Sequence, residues 1–513
     1  MRDTEALGSV EASCTEHFDV LIVGAGISGL GAAHHLQTQS PGKSFVILEA
    51  LESFGGTWLT HKYPGVRSDS DLYTFGYRFK PWVGAPIASA EEILKYLGEV
   101  IEDGDLSPHI RYRHRISDAQ WSSERNLWTL VVERTDTGEA KTFTTNFLWM
   151  CQGYYRHSQG YTPQWPGMAA YQGRIVHPQT WPENLDYQGK KVLLIGSGAT
   201  AATLIPAIAG DAAHVTMLQR SPTYFIPGRN ANDLADQLRE LEVDESWIHE
   251  IVRRRILKDQ DAFTHRAFAE AEAVKAELLA GVSAFVGPEA TAEHFTPRYR
   301  PWRQRIAFVP DGDLFRAVAA GKASVVTGEI ETFTPAGVRL TDGTAIEADI
   351  VITATGFDMS VLGDINFAVD GHAVDFAKTV TYRGMMFTGV PNLAWVMGYF
   401  RASWTLRVDI MGDFVCRLLN HMDATGAKKV EVALRPEDAD MAVLPWIDPE
   451  NFNPNYLMRA LDRLPRRGDK PEWQHTQDYW TERKSLPAVD LAGPEFHYGG
   501  QAAQTPRKLE AAE

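Results

Sequence analysis

Phe18-Asp-Val-Leu-Ile-Val23 runs directly into Gly24-Ala-Gly26-Ile-Ser-Gly29, continues as Leu30-Gly-Ala-Ala-His-His-Leu-Gln37, and closes on Ser44-Phe-Val-Ile-Leu-Glu49. The first run is short, apolar and bounded by glycine, the pattern of a strand buried on both faces. The residues after Gly29 suit a helix, and the third run predicts a second buried strand. Each part of this unit has a physical task. Gly24 permits the tight turn, Gly26 lets backbone approach a pyrophosphate, and Gly29 lets the helix pack on the strand. The helix N-terminus attracts phosphate charge. Glu49 lies 20 residues beyond Gly29, placed to accept hydrogen bonds from ribose hydroxyls.

The unit recurs. Lys190-Lys-Val-Leu-Leu-Ile195 precedes Gly196-Ser197-Gly198-Ala199-Thr200-Ala201, with Ala201 small enough to keep the third close contact. The following strand, His214 to Gln219, ends not in an acid but in Arg220-Ser221. An acid there would repel a 2′-phosphate, whereas a guanidinium pairs with it bidentately. The first site therefore suits FAD and the second NADPH. The chain is expected to be α/β, with two Rossmann-like dinucleotide-binding domains.

Around these units the composition is that of an ordinary globular protein of 513 residues, 44% hydrophobic and 23% charged. Fifty basic against 66 acidic residues leave a formal charge of −16, which disfavours nucleic acid and anionic membranes as partners. Cys14, Cys151 and Cys416 form no CxxC pair and no metal-like cluster, so no metal site is expected and a reducing cytoplasm is the default. The first residues carry no secretory signal pattern, no apolar run is long enough for a transmembrane helix, and the last fifteen read as a loose tail.

Three further segments carry a family resemblance. Tyr171-Gln-Gly173-Arg-Ile-Val-His177-Pro-Gln-Thr-Trp181-Pro182 resembles the FxGxxxHxxxWP fingerprint of type I Baeyer–Villiger monooxygenases, with Tyr171 in place of Phe. Gly55-Gly56-Thr57-Trp58, followed by Tyr63-Pro64-Gly65 and Asp69, is similar to their GGxWxxxxYPGxxxD signature. Ala354-Thr355-Gly356 resembles the ATG link between their FAD and NADP domains. Further segments, beginning at Lys62, Met217, Pro301, Pro310 and Ala402, look nearest to the subgroup of the mycobacterial thioamide-prodrug-activating enzyme.

That resemblance implies oxidation of a small ketone by NADPH and dioxygen through a C4a-peroxyflavin, giving an ester or lactone, with sulfoxidation as a side activity. Arg305 is then the arginine that stabilises the anion, and Asp69 its carboxylate partner; Arg303 ranks a distant second. From the residues alone Asp69 could equally cap a helix beginning at Ser70. Ser28, Thr57, Trp58, Arg67, Ser68 and Ile116 join the cofactor-binding set. His177 is read as a hydrogen-bonding hinge rather than a base, because Pro178 holds it in an extended loop. Gln304 stands where many relatives carry a lysine for the 2′-phosphate, leaving that task to Arg220 and Ser221. Arg401, in the loop Gly398-Tyr-Phe-Arg-Ala-Ser-Trp404 expected to line the substrate pocket, is a candidate specificity element.

The expected architecture is a discontinuous FAD domain (1–152 and 383–513) and an NADP domain (153–382) with a helical insert at 230–295. Residues 325–353 should form a hairpin turning at Asp342-Gly343, and Leu406, Ile410, Phe414 and Leu418 one core stripe of a helix. Two other functions fit the nucleotide units: a heteroatom oxygenase making sulfoxides or N-oxides, and a non-catalytic NADPH-sensing scaffold.

Overall fold

A computed structural model describes residues 15–500. Cys14, the rest of the N-terminal stretch and the tail from 501 onward lie outside the described residues.

The first apolar run forms the strand Glu16–Val23, whose last four residues are buried. It pairs in parallel with Phe45–Leu48 on one side and Ala140–Met150 on the other. Leu393–Trp395 also runs parallel to Ala140–Met150, so the late part of the chain returns to this sheet. The strands His114–Ser122, Leu127–Arg134 and Ala140–Met150 form an antiparallel meander that extends it. The second repeat builds a separate, wholly parallel sheet in the order Ala323–Thr327, His214–Gln219, Lys191–Ile195, Ile350–Thr353, Arg174–Val176. In both sheets a glycine turn follows a strand that is paired in parallel on both sides, which puts each nucleotide site at the carboxyl ends of the strands.

The domain boundary differs from the sequence expectation. Asn366–Val369 pairs in parallel with His114–Ser122 of the first sheet. The chain thus crosses back soon after Thr353 rather than at 383. The cause is Phe367, which fills the first domain's core beside Trp121 and Trp128, a long-range contact with no local signature.

The expected hairpin is a three-stranded antiparallel sheet, Ile330–Thr334, Gly337–Leu340 and Ala345–Glu347, turning at Asp342-Gly343 where Gly343 has φ +89°. The helix Trp404–Thr425 buries Leu406, Ile410, Phe414 and Leu418 as read.

The insert contains the helices Asp233–Glu240, Glu245–Ala269 and Ala271–His294. The expected helical insert is interrupted, between the last two of these helices, at Glu270, whose φ of −127° and ψ of 44° are not helical; neither Gly nor Pro marks the break. The insert folds onto the first domain, not away from it. Ile248 and Val252 join the first core, and Arg253 donates to the carbonyls of Tyr73, Thr74 and Gly76.

His249 completes this clasp. It is 1% exposed, and its Nδ1 accepts from the Trp82 backbone N–H at 3.1 Å. Burial, with Arg253 adding to it, pushes its imidazole down to about 4 from 6.5. Protonation would turn the acceptor into a donor facing a donor. The folded pKa lies below the unfolded one, so this stability is present above pH 6.5 and is lost as pH falls through about 4. At about pH 5 the loss is about 2 kcal/mol. Hydrogen exchange in Glu245–Ala269 is expected to accelerate between about pH 7 and about pH 5 relative to the strand Glu16–Val23. Equal protection of the insert at both would contradict this.

Candidate functional site

Both glycine turns have the backbone their tasks require. Gly24 has φ +98°, and a side chain there would meet the Cys151 carbonyl oxygen at 2.9 Å. A Cβ on Gly29 would lie 1.9 Å from the Gly24 oxygen. Gly26, by contrast, has only the Gly56 backbone near it, at 3.7 Å, so its face is open to the cleft. In the second turn Gly196 has φ +130°, a Cβ there would meet the Ala354 oxygen at 2.3 Å, and Ala201 is fully buried against the sheet.

A cleft of about 1020 Å³ joins the two turns. Gly24, Gly26, Ser28, Glu49, Thr57, Trp58, Ile116, Gly198 and Thr200 all line it. Glu49 is 7% exposed and accepts the Ala25 and Leu51 backbone N–H groups at 2.7 and 2.9 Å; burial pushes its carboxyl upward. Those two bonds hold the carboxylate at the end of its strand, toward the cleft. Thr57 shares a hydrogen bond with the Tyr155 hydroxyl at 2.8 Å, and Trp404 Nε1 donates to Ser28 Oγ at 2.8 Å. A glycine face open to the cleft, a helix N-terminus and a carboxylate at the right strand end fit an adenine dinucleotide.

Asp69 and Arg305 meet in this cleft. Arg305 comes from the second domain just after the insert, and its Nη2 donates to Asp69 Oδ2 at 2.9 Å. Asp69 drives the guanidinium further up from its ordinary value, against its burial. Their side chains are 37% and 31% exposed, and both line the cleft. The capping alternative for Asp69 falls away: Asp71 caps the helix Leu72–Phe75, accepting from the Tyr73 N–H. Arg303 instead pairs with Glu450.

Other expected residues stand elsewhere. Ser68 does not line the cleft; its hydroxyl accepts the Ala88 N–H at 3.3 Å. Arg67 lines the cleft, but its guanidinium is held bidentately by Asp313 at 2.6 and 3.1 Å, tying the two domains. Arg220 and Ser221 are exposed, and Arg220 forms no ion pair among the described residues. Ser197 Oγ donates to the Ser221 carbonyl at 3.2 Å and so fixes that loop.

The fingerprint segment belongs to the second domain: Arg174–Val176 is the edge strand of its sheet, and Tyr171 and Trp181 pack against its core. His177 Nε2 donates to the Gly356 carbonyl at 3.3 Å, while its Nδ1 accepts the Gln179 N–H at 3.1 Å. Burial lowers its imidazole, so it stays neutral with the proton on Nε2. It thereby links the fingerprint to the ATG crossing. The Tyr171 hydroxyl donates to the Ala348 carbonyl at 2.8 Å, a bond a phenylalanine could not make.

Sequence reasoning missed Tyr154 and Tyr456. Both line the cleft beside the Asp69–Arg305 pair, and burial pushes both phenols upward. Tyr154 stacks on Trp404 at 5.2 Å. Neither lies within a glycine motif, and nothing in the local sequence marks them. Among the described residues no group of three His, Cys, Asp or Glu is placed to hold a metal ion, and no helix is long and apolar enough to cross a membrane.

Comparison with known proteins agrees with this geometry. Residues 22–82 match a family model for an NAD(P)-binding Rossmann-like domain, and residues 86–235 match one for flavin-binding monooxygenase-like proteins. The FAD-containing monooxygenase EthA of Mycolicibacterium smegmatis is 45% identical over 92% of this chain and 95% of its own length. The chain belongs to the FAD-containing monooxygenases. A second relative of this monooxygenase, the probable FAD-binding monooxygenase AlmA of an Acinetobacter species, is 42% identical over 94% of the chain and 97% of its own. The fold of the monooxygenase is that of a steroid monooxygenase solved with NADP (TM-score 0.74, 24% identity, 94% and 99% of the two chains). Cyclohexanone monooxygenase with bound cyclohexanone is similar (TM-score 0.73, 20% identity, 95% and 100%). FAD and NADPH are the cofactors of this monooxygenase.

Proposed function

We propose that this monooxygenase converts ketones to esters or lactones by Baeyer–Villiger oxygen insertion, with sulfide oxidation as a side activity. Bound FAD, reduced by NADPH, supplies the activation of dioxygen. Gly24, Gly26, the helix Ile27–Gln39 and Glu49 would hold its adenosine diphosphate part; Thr57 and Trp58 stand further along the same cleft. Gly198, Thr200 and the exposed Arg220 would hold NADPH.

The observation that carries the reading is the Arg305–Asp69 pair. Oxygen insertion into a carbon–carbon bond needs an anionic oxygen nucleophile, whereas oxygen transfer to a sulfide needs a protonated, electrophilic one. Arg305 cannot lose its proton, and Asp69 raises its hold on it further. A fixed guanidinium in the cleft therefore favours the anionic form. Asp69 holds the guanidinium by one oxygen, 2.9 Å from Nη2, and so aims it. The half-buried, neutral phenols of Tyr154 and Tyr456 bring no competing charge and narrow the space for water. An NADPH-sensing scaffold would have no use for this pair.

The test is a panel of linear, cyclic and phenyl-substituted ketones and of sulfides, incubated with NADPH in air, with products separated by mass. Esters or lactones from ketones support the reading. Sulfoxides alone would replace it with the heteroatom oxygenase.

Arg220 tests the choice of reductant. Its exposed guanidinium has no carboxylate partner among the described residues, and only NADPH carries a 2′-phosphate. Arg220→Ala is expected to raise KM for NADPH about tenfold or more and to leave KM for NADH unchanged. An equal loss with both reductants would give Arg220 a structural role.

A further inference from the structure

Two guanidiniums converge at one place and share a neutral asparagine rather than a carboxylate side chain. Arg401 Nη2 donates to the backbone oxygen and to Oδ1 of Asn451, at 2.8 and 3.1 Å. Arg300 Nη2 donates to the same two oxygens, at 2.9 and 3.0 Å. Both stack on Phe268, at 4.3 and 5.1 Å from its centroid, and Arg401 also lies 4.9 Å from the Phe452 centroid. Neither has a carboxylate within ion-pair distance among the described residues; the adjacent Glu450 is taken by Arg303 and is itself 87% exposed.

Such an arrangement carries a cost. Two like charges sharing acceptors repel each other, and the Asn451 oxygens are only partial charges. Burial, reinforced by Arg300, pulls the Arg401 guanidinium down to about 10. Backbone strain lies at the same place: Trp302 has φ +61°, unusual for a bulky side chain, and its carbonyl accepts Arg401 Nε at 3.2 Å. Ordinary surface packing requires neither feature. An anion lying across the two guanidiniums would offset both charges.

The position says which anion. Each of the three segments that build the cluster continues into the wall of the cleft: Trp302 into Gln304 and Arg305, Arg401 into Ala402, and Asn451 into Pro454. These neighbours set the cluster beside the end of the cleft that holds Arg305, although Arg300, Arg401 and Asn451 do not themselves line it. We propose that Arg300 and Arg401 form an anion-binding subsite that recognises a carboxylate carried by the substrate, which makes carboxylated chain ketones a preferred class. This assignment rests on the ketone reading above, but its binding step does not depend on the reaction that follows. The aromatic rings of Phe268 and Phe452 keep the guanidinium planes fixed, so their free N–H groups meet a carboxylate already oriented.

The test uses the FAD-loaded protein, a series of methyl-ketone carboxylates of increasing chain length, and their methyl esters. Calorimetric titration of the oxidised holoenzyme is expected to show at least one chain length whose carboxylate binds about tenfold more tightly than its ester. Arg401→Asn is expected to bring that ratio close to one, with melting temperature and FAD content reporting that the variant is folded. Equal binding of acid and ester at every chain length would overturn the proposal. So would a ratio unchanged in Arg401→Asn, or a rise in KM for NADPH in that variant with no change in the ratio, which would assign the charges to the cofactor phosphate. Because binding is read without turnover, a failure to form esters leaves these outcomes distinct from a failure of the ketone reading.

Discussion

Arg305→Ala retains its FAD and is still reduced by NADPH, yet forms ester roughly a hundred- to a thousand-fold more slowly. The size follows from the geometry. Arg305 is a cation lining the cleft, held by Asp69 Oδ2 at 2.9 Å and raised in basicity by it. At an effective dielectric of about 20, a unit charge about 4 Å from a forming anion is worth about 4 kcal/mol, or roughly three decades in rate. Flavin reduction should be spared, because no glycine turn depends on this side chain. Stopped-flow reduction and ester yield, measured on one preparation, separate the two steps. Near-normal ester formation in the variant would remove Arg305 from its assigned role. Loss of reduction and ester formation together would make it a structural residue of the second domain.

Gly29→Ala yields a colourless protein, or none that folds. A methyl group at this position would sit 1.9 Å from the Gly24 oxygen, closer than any relaxation of one side chain can repair, because the obstacle is backbone. The helix Ile27–Gln39 must then lift away from the strand Glu16–Val23, and the aligned N–H groups at its start move with it. The expected FAD content is below about a tenth of the unmodified protein. Gly42→Ala is the control: nothing lies within 4 Å of its Cβ position, and its colour should be unchanged. A fully yellow Gly29→Ala protein would show that the helix and strand do not need this close approach.

These two predictions differ in how they could be foreseen. Gly29 was legible because a close helix–strand contact is local: the turn, the helix and the strand are contiguous, and the spacing alone states the requirement. The same holds for Gly196, Ala201 and the turn at Gly343. The Asp69–Arg305 contact joins residues from different domains, so only the family resemblance paired them, and the residues alone left helix capping open until Asp71 was seen to fill that place. Tyr154 and Tyr456 were not legible, because a tyrosine buried beside a charge has the same local sequence as one buried in a core. The domain boundary was misplaced for a related reason. Phe367 sits in the first domain's core with its ring edge-on to Trp128, far away in the chain. Arg67 lines the cleft, but its pairing with Asp313 joins two domains and has no local signature in the sequence.

The most direct test of the central claim is the fate of the oxygen atom. The holoenzyme is incubated with NADPH, ¹⁸O-labelled dioxygen and a ketone of the panel, and the product is weighed. The account predicts an ester or lactone that carries one labelled oxygen between the former carbonyl carbon and its neighbour, with the carbonyl oxygen unlabelled. If no ketone gives a labelled ester while sulfides return labelled sulfoxides under the same conditions, the Arg305–Asp69 pair does not serve Baeyer–Villiger oxidation and the account is wrong.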